Sequence, residues 1–162
     1  MEDQATRLRK LVERKISGGT GGQQKESAQG GASVPLPGGA RVIAVTSGKG
    51  GVGKTNLTVN LAIALGKKGK RVIIVDADLG TANVDVLLGT SSRNTLLSLA
   101  REDVQLEDAL IRGPYGVSYI SGGSGMEHAG ELTAMQRQMI FSKLAACDEW
   151  ADIILVDTGA GV

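Results

Sequence analysis

The stretch Ser47-Gly48-Lys49-Gly50-Gly51-Val52-Gly53-Lys54-Thr55 constrains this chain more than any other part of it. A strand-like run, Arg41-Val42-Ile43-Ala44-Val45-Thr46, leads into it, and a helix-like run from Asn56 to Lys68 follows. From Gly48 to Thr55 it fits the pattern G-x-x-x-x-G-K-[ST]. Its glycines let the backbone curl so that successive N–H groups point inward, beside a helix N-terminus whose dipole favours negative charge. The strand–loop–helix context therefore predicts a phosphate cradle built from Gly48, Gly50, Gly51, Val52 and Gly53, with Asn56 in the first helical turn. Lys54 would reach the β- and γ-phosphates of a nucleotide, and the Thr55 hydroxyl would ligate Mg²⁺. A second lysine, Lys49, stands inside the loop where the general pattern does not ask for one.

The rest of the composition narrows what surrounds this loop. Only four residues are aromatic, so a core must come from Val, Ile, Leu and Ala, as in a parallel sheet covered by helices. A net charge of +1 gives no bulk attraction to polyanions, and no specific nucleic acid is expected as a partner. The single cysteine, Cys147, excludes a disulfide framework and a cysteine-ligated cluster within one chain, and reads as a small buried residue. With no apolar run approaching a membrane span and a charged N-terminus, the chain reads as soluble and cytosolic.

Three parts follow one another. Residues 3–16 read as a short amphipathic helix with Asp3 as N-cap and Ala5, Leu8, Leu11, Val12 and Ile16 along one face. Residues 17–40, rich in Gly, Ser, Gln and Ala, read as a flexible linker, which suits a tethered recognition segment. From residue 41 to 162, strand and helix signals alternate. Strands are expected at 41–46, 71–76, 117–121 and 152–157, and helices at 54–68, about 94–101, about 105–112 and 133–147. Gly69 is placed to cap the first of these helices, and Tyr115, Tyr119 and Trp150 read as packing residues. The alternation predicts a doubly wound, mostly parallel α/β sheet.

Two of the apolar strands end in carboxylates. One runs into Asp76-Ala77-Asp78-Leu79-Gly80, the other into Asp157-Thr158-Gly159-Ala160-Gly161. Ligands of open α/β sheets lie beyond the carboxyl ends of the strands, so one crevice can hold the loop and both clusters. An Asp at such a strand end beside a phosphate loop is the expected partner of Mg²⁺, and the Gly-rich turn after it can sense a γ-phosphate. The plain alternatives are that Asp76 and Asp78 only cap their turn and that Asp157 only ends its strand. His128 is given no role.

The loop Lys49-Gly50-Gly51-Val52-Gly53-Lys54-Thr55 resembles the deviant phosphate loop of the MinD/ParA ATPases. Val75 to Asp85 resembles their first switch, and Ile154 to Gly161 their Mg²⁺ strand and second switch. Asp3-Gln4-Ala5-x-x-Leu8-Arg9 is similar to the activator motif of the FlhG (YlxH/FleN) branch, which regulates flagellar number and placement. The resemblance implies an ATP- and Mg²⁺-dependent dimerisation switch with slow turnover. Lys49 would reach the nucleotide of a second subunit, Asp78 would orient the attacking water, Asp76 would sit near Mg²⁺, and Asp157 would hold the metal through water. It further implies that Asp3, Gln4, Ala5, Leu8, Arg9 and Leu11 engage FlhF, a GTPase of the signal-recognition-particle type, with flagellar C-ring components as further partners. The family also carries more strands, an adenine-recognising segment and a C-terminal amphipathic helix for peripheral attachment to the inner membrane. Because this sequence stops at Val162, the last strand is expected to lack its neighbour. Chromosome or plasmid partition, or placement of the division site, is the alternative within the family. An electron-transfer ATPase would need more cysteines, and an inert interaction module would keep only the N-terminal helix.

Overall fold

A computed structural model describes residues 34–35, 39–79, 81, 83–123 and 132–159. The expected N-terminal helix, with Asp3, Gln4, Ala5, Leu8, Arg9 and Leu11, lies outside these residues, as do most of the expected linker and His128.

The strongest structure-forming segments are two runs of β-branched and aliphatic residues, Val72–Ala77 (β3) and Ile153–Thr158 (β6). Side chains alternate across a strand, so Val72 and Ile74 face one side of the sheet and Ile73 and Val75 the other. Both sides are covered, which is why the run is apolar throughout rather than alternating. β1 (Val34–Pro35), β2 (Arg41–Val45), β4 (Leu110–Arg112) and β5 (Val117–Ile120) complete a six-stranded sheet in the order β1-β2-β6-β3-β5-β4. The inner four strands are parallel, while the short β1 and β4 pair antiparallel at the two ends.

Helix α1 (Lys54–Gly66) and the short α2 (Asn83–Leu88) cover one face, packing Val59, Ala62 and Val84 on Val72, Ile74, Tyr119 and Leu155. The 3₁₀ turn Leu97–Ala100, α3 (Leu106–Ala109), α4 (Ala134–Ala145) and α5 (Cys147–Trp150) cover the other. α1 ends in a Schellman arrangement: Gly69 lies at φ +79°, its N–H donates to the Gly66 carbonyl at 2.9 Å, and Lys70 N–H donates to the Leu65 carbonyl at 3.2 Å. Gly69 thus caps the helix as its position suggested.

Several expectations are corrected. β6, the last strand in sequence, is inserted between β2 and β3 and has a neighbour on each side, because parallel pairing joins strands distant in sequence. The folded unit begins before residue 41: Val34–Pro35 pairs with β2, and the buried Ala40 donates its N–H to Asp148 Oδ1 at 2.8 Å. The helix expected near 105–112 is one turn, after which Leu110–Arg112 pairs with β5. The helix expected at about 94–101 is a single 3₁₀ turn, and that expected over 133–147 gives way at Ala146 to α5. Tyr119 is fully buried, and Cys147 is buried with its thiol pushed up to about 12 by burial. Tyr115 is instead exposed, held at φ +56° with the Lys67 ammonium 4.8 Å from its ring centre.

Candidate phosphate and metal site

Strand register brings the site together. Val45 of β2 is in register with Asp157 of β6, and Asp157 with Asp76 of β3. With neighbouring strands about 4.8 Å apart, the loop after Val45 and the two carboxylates leave the sheet at one level. The Thr158 hydroxyl donates to the Val45 carbonyl at 3.0 Å and fixes that level.

The loop itself has the form of an anion cradle. Gly51 and Gly53 lie at φ +72° and +90°, where a side chain would be strained. Gly48 has ordinary backbone, and a Cβ placed there would meet nothing within 4 Å. The fold alone therefore does not demand glycine at 48, whereas close approach of a ligand to the backbone would. Gly53 precedes α1 with no capping side chain, and the first turn carries no acidic residue. The first-turn N–H groups of Lys54, Thr55 and Asn56 have no intrahelical acceptors and so are free to bind an anion. Lys49 is exposed, and its carbonyl accepts a hydrogen bond from the Ser47 hydroxyl at 2.6 Å, which tightens the loop's start.

Asp157 is fully buried at the end of β6. The Thr58 hydroxyl lies 3.2 Å from its Oδ1 and 3.0 Å from the Lys54 carbonyl, so one proton serves two acceptors. Burial raises the Asp157 pKa; the nearby Thr55 and Thr58 hydroxyls and the Lys54 charge oppose that rise, while Asp78 adds to it. Its Oδ2 is buried and has no hydrogen-bond partner among the described residues. An ionised buried oxygen without a donor is costly, and a hydrated cation is the ligand chemistry that would relieve it. No cluster of three or more acidic, His or Cys side chains is poised to hold a metal among the described residues. A hydroxyl and one carboxylate beside a phosphate cradle are the donor types suited to Mg²⁺, which keeps several waters and takes few protein oxygens alongside substrate phosphates. Thr55 and Asp157 are the side chains here that could hold it.

Asp76 is also fully buried, but its oxygens are turned to the backbone: Oδ1 accepts from Asp78 N–H at 3.1 Å and Oδ2 from Val84 N–H at 3.4 Å. Its pKa is pushed up to about 6, mainly by burial, with the two N–H groups opposing and the charges of Asp157 and Asp78 adding. Asp76 thus caps the turn that follows it while lying next to Asp157. Asp78 is half-buried, and its Oδ2 accepts from Asn83 Nδ2 at 3.3 Å. A Cβ on Gly159 would come 3.1 Å from Asp78 Oδ1, so that carboxylate lies directly against the turn after β6. The structure thus brings Lys54, Thr55, Asp76, Asp78 and Asp157 to one end of the sheet.

Sequence reasoning assigned no role to Thr58, Asn83 or Gly122. Thr58 was findable, because it follows Thr55 by three positions and Lys54 by four, on the same helix face. Gly122, just past β5, approaches the carbonyls of Asp76 and Asp78 so closely that a Cβ would sit 2.9 and 3.1 Å from them. Nothing local in the sequence marks that contact.

Residues 39–161 match the ParA family profile described as NUBPL iron-transfer P-loop NTPase. The antiactivator FleN of Pseudomonas aeruginosa is 46% identical over 122 residues, covering 75% of this chain and 44% of FleN. The flagellum site-determining protein YlxH of Helicobacter pylori is 38% identical over 125 residues, covering 77% of this chain and 42% of YlxH. The chain therefore spans less than half the length of these relatives. Among solved structures, the septum site-determining protein MinD from Pyrococcus horikoshii, complexed with Mg-ADP, superposes with a TM-score of 0.60 at 32% identity. The match covers 76% of this chain and 50% of that one. On its phosphate loop, strand order and family profile, the chain belongs to the ParA family of P-loop NTPases.

Proposed function

We propose that this chain carries the phosphate- and Mg²⁺-binding half of an ATP-switched regulator of flagellar number and placement. The observation that carries the reading is the Asp157 carboxylate, buried with one oxygen unpartnered, beside the uncapped N-terminus of α1. In this reading Lys54 and the loop N–H groups grip the β- and γ-phosphates. Thr55 and Asp157 hold the cation, whose contribution is to neutralise charge between the phosphates. Asp78, steadied by Asn83, orients the attacking water, and Gly159 passes changes at the second switch to it. Lys49, exposed and without an ion pair among the described residues, would cross to a nucleotide held by a second copy. Two apposed nucleotides repel unless cations bridge them, so dimerisation would follow ATP occupancy.

The flagellar branch is favoured by the likeness to FleN and YlxH together with Asp3-Gln4-Ala5-x-x-Leu8-Arg9. That segment, with Leu11, would stimulate the GTPase FlhF, and C-ring components would be further partners. No helix among the described residues is long and apolar enough to cross a membrane. Attachment to the inner membrane would be peripheral and ATP-dependent, through a C-terminal amphipathic helix of the kind the family carries. Division-site placement remains the second reading, supported by the 32% identity to the Pyrococcus MinD. The two are separated by adding the full chain to FlhF and measuring GTP hydrolysis. Stimulation that is lost in Gln4→Ala and Arg9→Ala supports the flagellar reading, and no stimulation removes it.

A further inference from the structure

The segment after Asp78 is fastened by two carboxylates, and only one of them belongs to the phosphate site. Asp76 secures its start through the N–H groups of Asp78 and Val84. One residue further on, Asp85 Oδ2 accepts from the Ser121 hydroxyl at 2.7 Å. Ser121 is fully buried just past β5, and its oxygen in turn accepts from Gly123 N–H at 3.1 Å. Asp85 Oδ1 is buried and has no hydrogen-bond partner among the described residues. The Ser121 hydroxyl is thus the close donor to the Asp85 carboxylate, with the Tyr119 phenol beside it. A second hitch lies beside it: Thr90 N–H donates to the Asp85 carbonyl at 3.1 Å, and the Thr90 hydroxyl pairs with the buried Tyr119 phenol.

We propose that Ser121 and Asp85 are positioning residues for Asp78, clamping α2 to the end of β5 and so setting where the Asp78 carboxylate sits. The connection is short. Asn83, at the start of α2, holds Asp78 Oδ2 at 3.3 Å and also donates to the Thr81 hydroxyl at 2.8 Å. Gly122, the neighbour of Ser121, packs against the carbonyls of Asp76 and Asp78. The clamp and the Asp78 turn are thus two sides of one contact. Removing the Ser121 hydroxyl takes away the 2.7 Å donor to Asp85 Oδ2 and leaves the Tyr119 phenol, already paired with Thr90, as its neighbour, so the carboxylate regains full hydrogen bonding by moving toward water with α2. Strand β2, which leads into the phosphate loop, is separated from β5 by β6 and β3, whereas α1 shares its sheet face with α2.

The role of Asp78 as water-orienting residue rests on the proposed function, whereas the clamp does not, and the test separates the two. Amide hydrogen exchange of Ser121→Ala should show residues 83–88 exchanging about tenfold faster than in the wild-type chain, with residues 41–45 unchanged. Asp85→Asn, which keeps an acceptor for Ser121, should stay within about threefold of wild type. Unchanged exchange in Ser121→Ala, acceleration spread over the whole chain, or Asp85→Asn exchanging as fast as Ser121→Ala would overturn the clamp. In single-turnover hydrolysis of Mg-ATP, Ser121→Ala should be slowed about tenfold while Mg-ATP affinity stays within about twofold. An equal loss of affinity, or unchanged hydrolysis, would overturn the positioning role. A wild-type chain that bound no Mg-ATP would instead refute the functional reading and leave the exchange comparison to judge the clamp.

Discussion

Thr58→Val isolates the electrostatic footing of Asp157 from the rest of the site. Both side chains are β-branched and similar in shape, so α1 keeps its packing and loses one hydroxyl. In the wild-type chain that hydroxyl divides its proton between Asp157 Oδ1 at 3.2 Å and the Lys54 carbonyl at 3.0 Å. Hydrogen bonds to charged groups contribute about 1.5–3 kcal/mol, and sharing places this one at the low end, about 1–2 kcal/mol. For a chain of this size that corresponds to a fall in Tm of about 3–6 °C. The loss should depend on pH in a defined direction. Thr58 favours ionised Asp157, whose folded pKa already lies above 3.8 because of burial. Removing the donor raises that pKa further, so the penalty is full where Asp157 is ionised and shrinks as acidification protonates it. Urea unfolding at pH 7.5 and pH 5, in Mg²⁺-free buffer, measures both quantities. No loss at pH 7.5, or a loss that grows on acidification, would refute the reasoning.

Other expectations follow from the same geometry. Burial lifts the folded pKa of Asp76 from 3.8 to about 6. The folded state therefore holds the proton more tightly, and without Mg²⁺ stability should rise as pH falls from about 7 toward 4. The gain is on the order of 3 kcal/mol, and Asp76→Asn should remove that slope in denaturant titrations across the range. Gly122→Ala places a Cβ 2.9 Å from the Asp76 carbonyl and should cost about 1–3 kcal/mol of stability in the same unfolding assay. Lys54→Ala should abolish the thermal shift given by Mg-ATP and lower the unliganded Tm by no more than about 4 °C, since the Lys54 charge bears on Asp157 without forming a salt bridge among the described residues. Lys49→Ala should keep that thermal shift and lose ATP-dependent dimerisation measured by sedimentation.

What the sequence revealed follows the physics of each element. β3 and β6 are buried on both faces and so appear as unbroken Val and Ile runs, and the phosphate loop appears because its glycines answer a local backbone demand. β1 and β4 span two and three residues at the sheet ends, too short for any periodic signal. α2 is six residues long and was readable only as part of a switch, because tertiary contacts of Val84 and Asp85 hold it rather than propensity. Strand order was also hidden: nothing local says that β6 pairs with both β2 and β3, yet that pairing sets Asp157 beside Asp76. Within the site, residues adjacent to the loop or at apolar strand ends were legible. Ser121 and Gly122 were not, since their importance comes from a strand that meets the switch only in three dimensions.

The central claim is that Asp157 and the uncapped start of α1 form one Mg²⁺-dependent nucleotide site. Calorimetric titration of ATP into the wild-type chain and Asp157→Asn, each with and without Mg²⁺, tests it most directly. The wild-type chain should bind ATP more tightly with Mg²⁺ than without, and Asp157→Asn should retain the Mg²⁺-free affinity while losing most of the gain. Wild-type binding that is absent or indifferent to Mg²⁺, or an Asp157→Asn variant with the full Mg²⁺ gain, would contradict it.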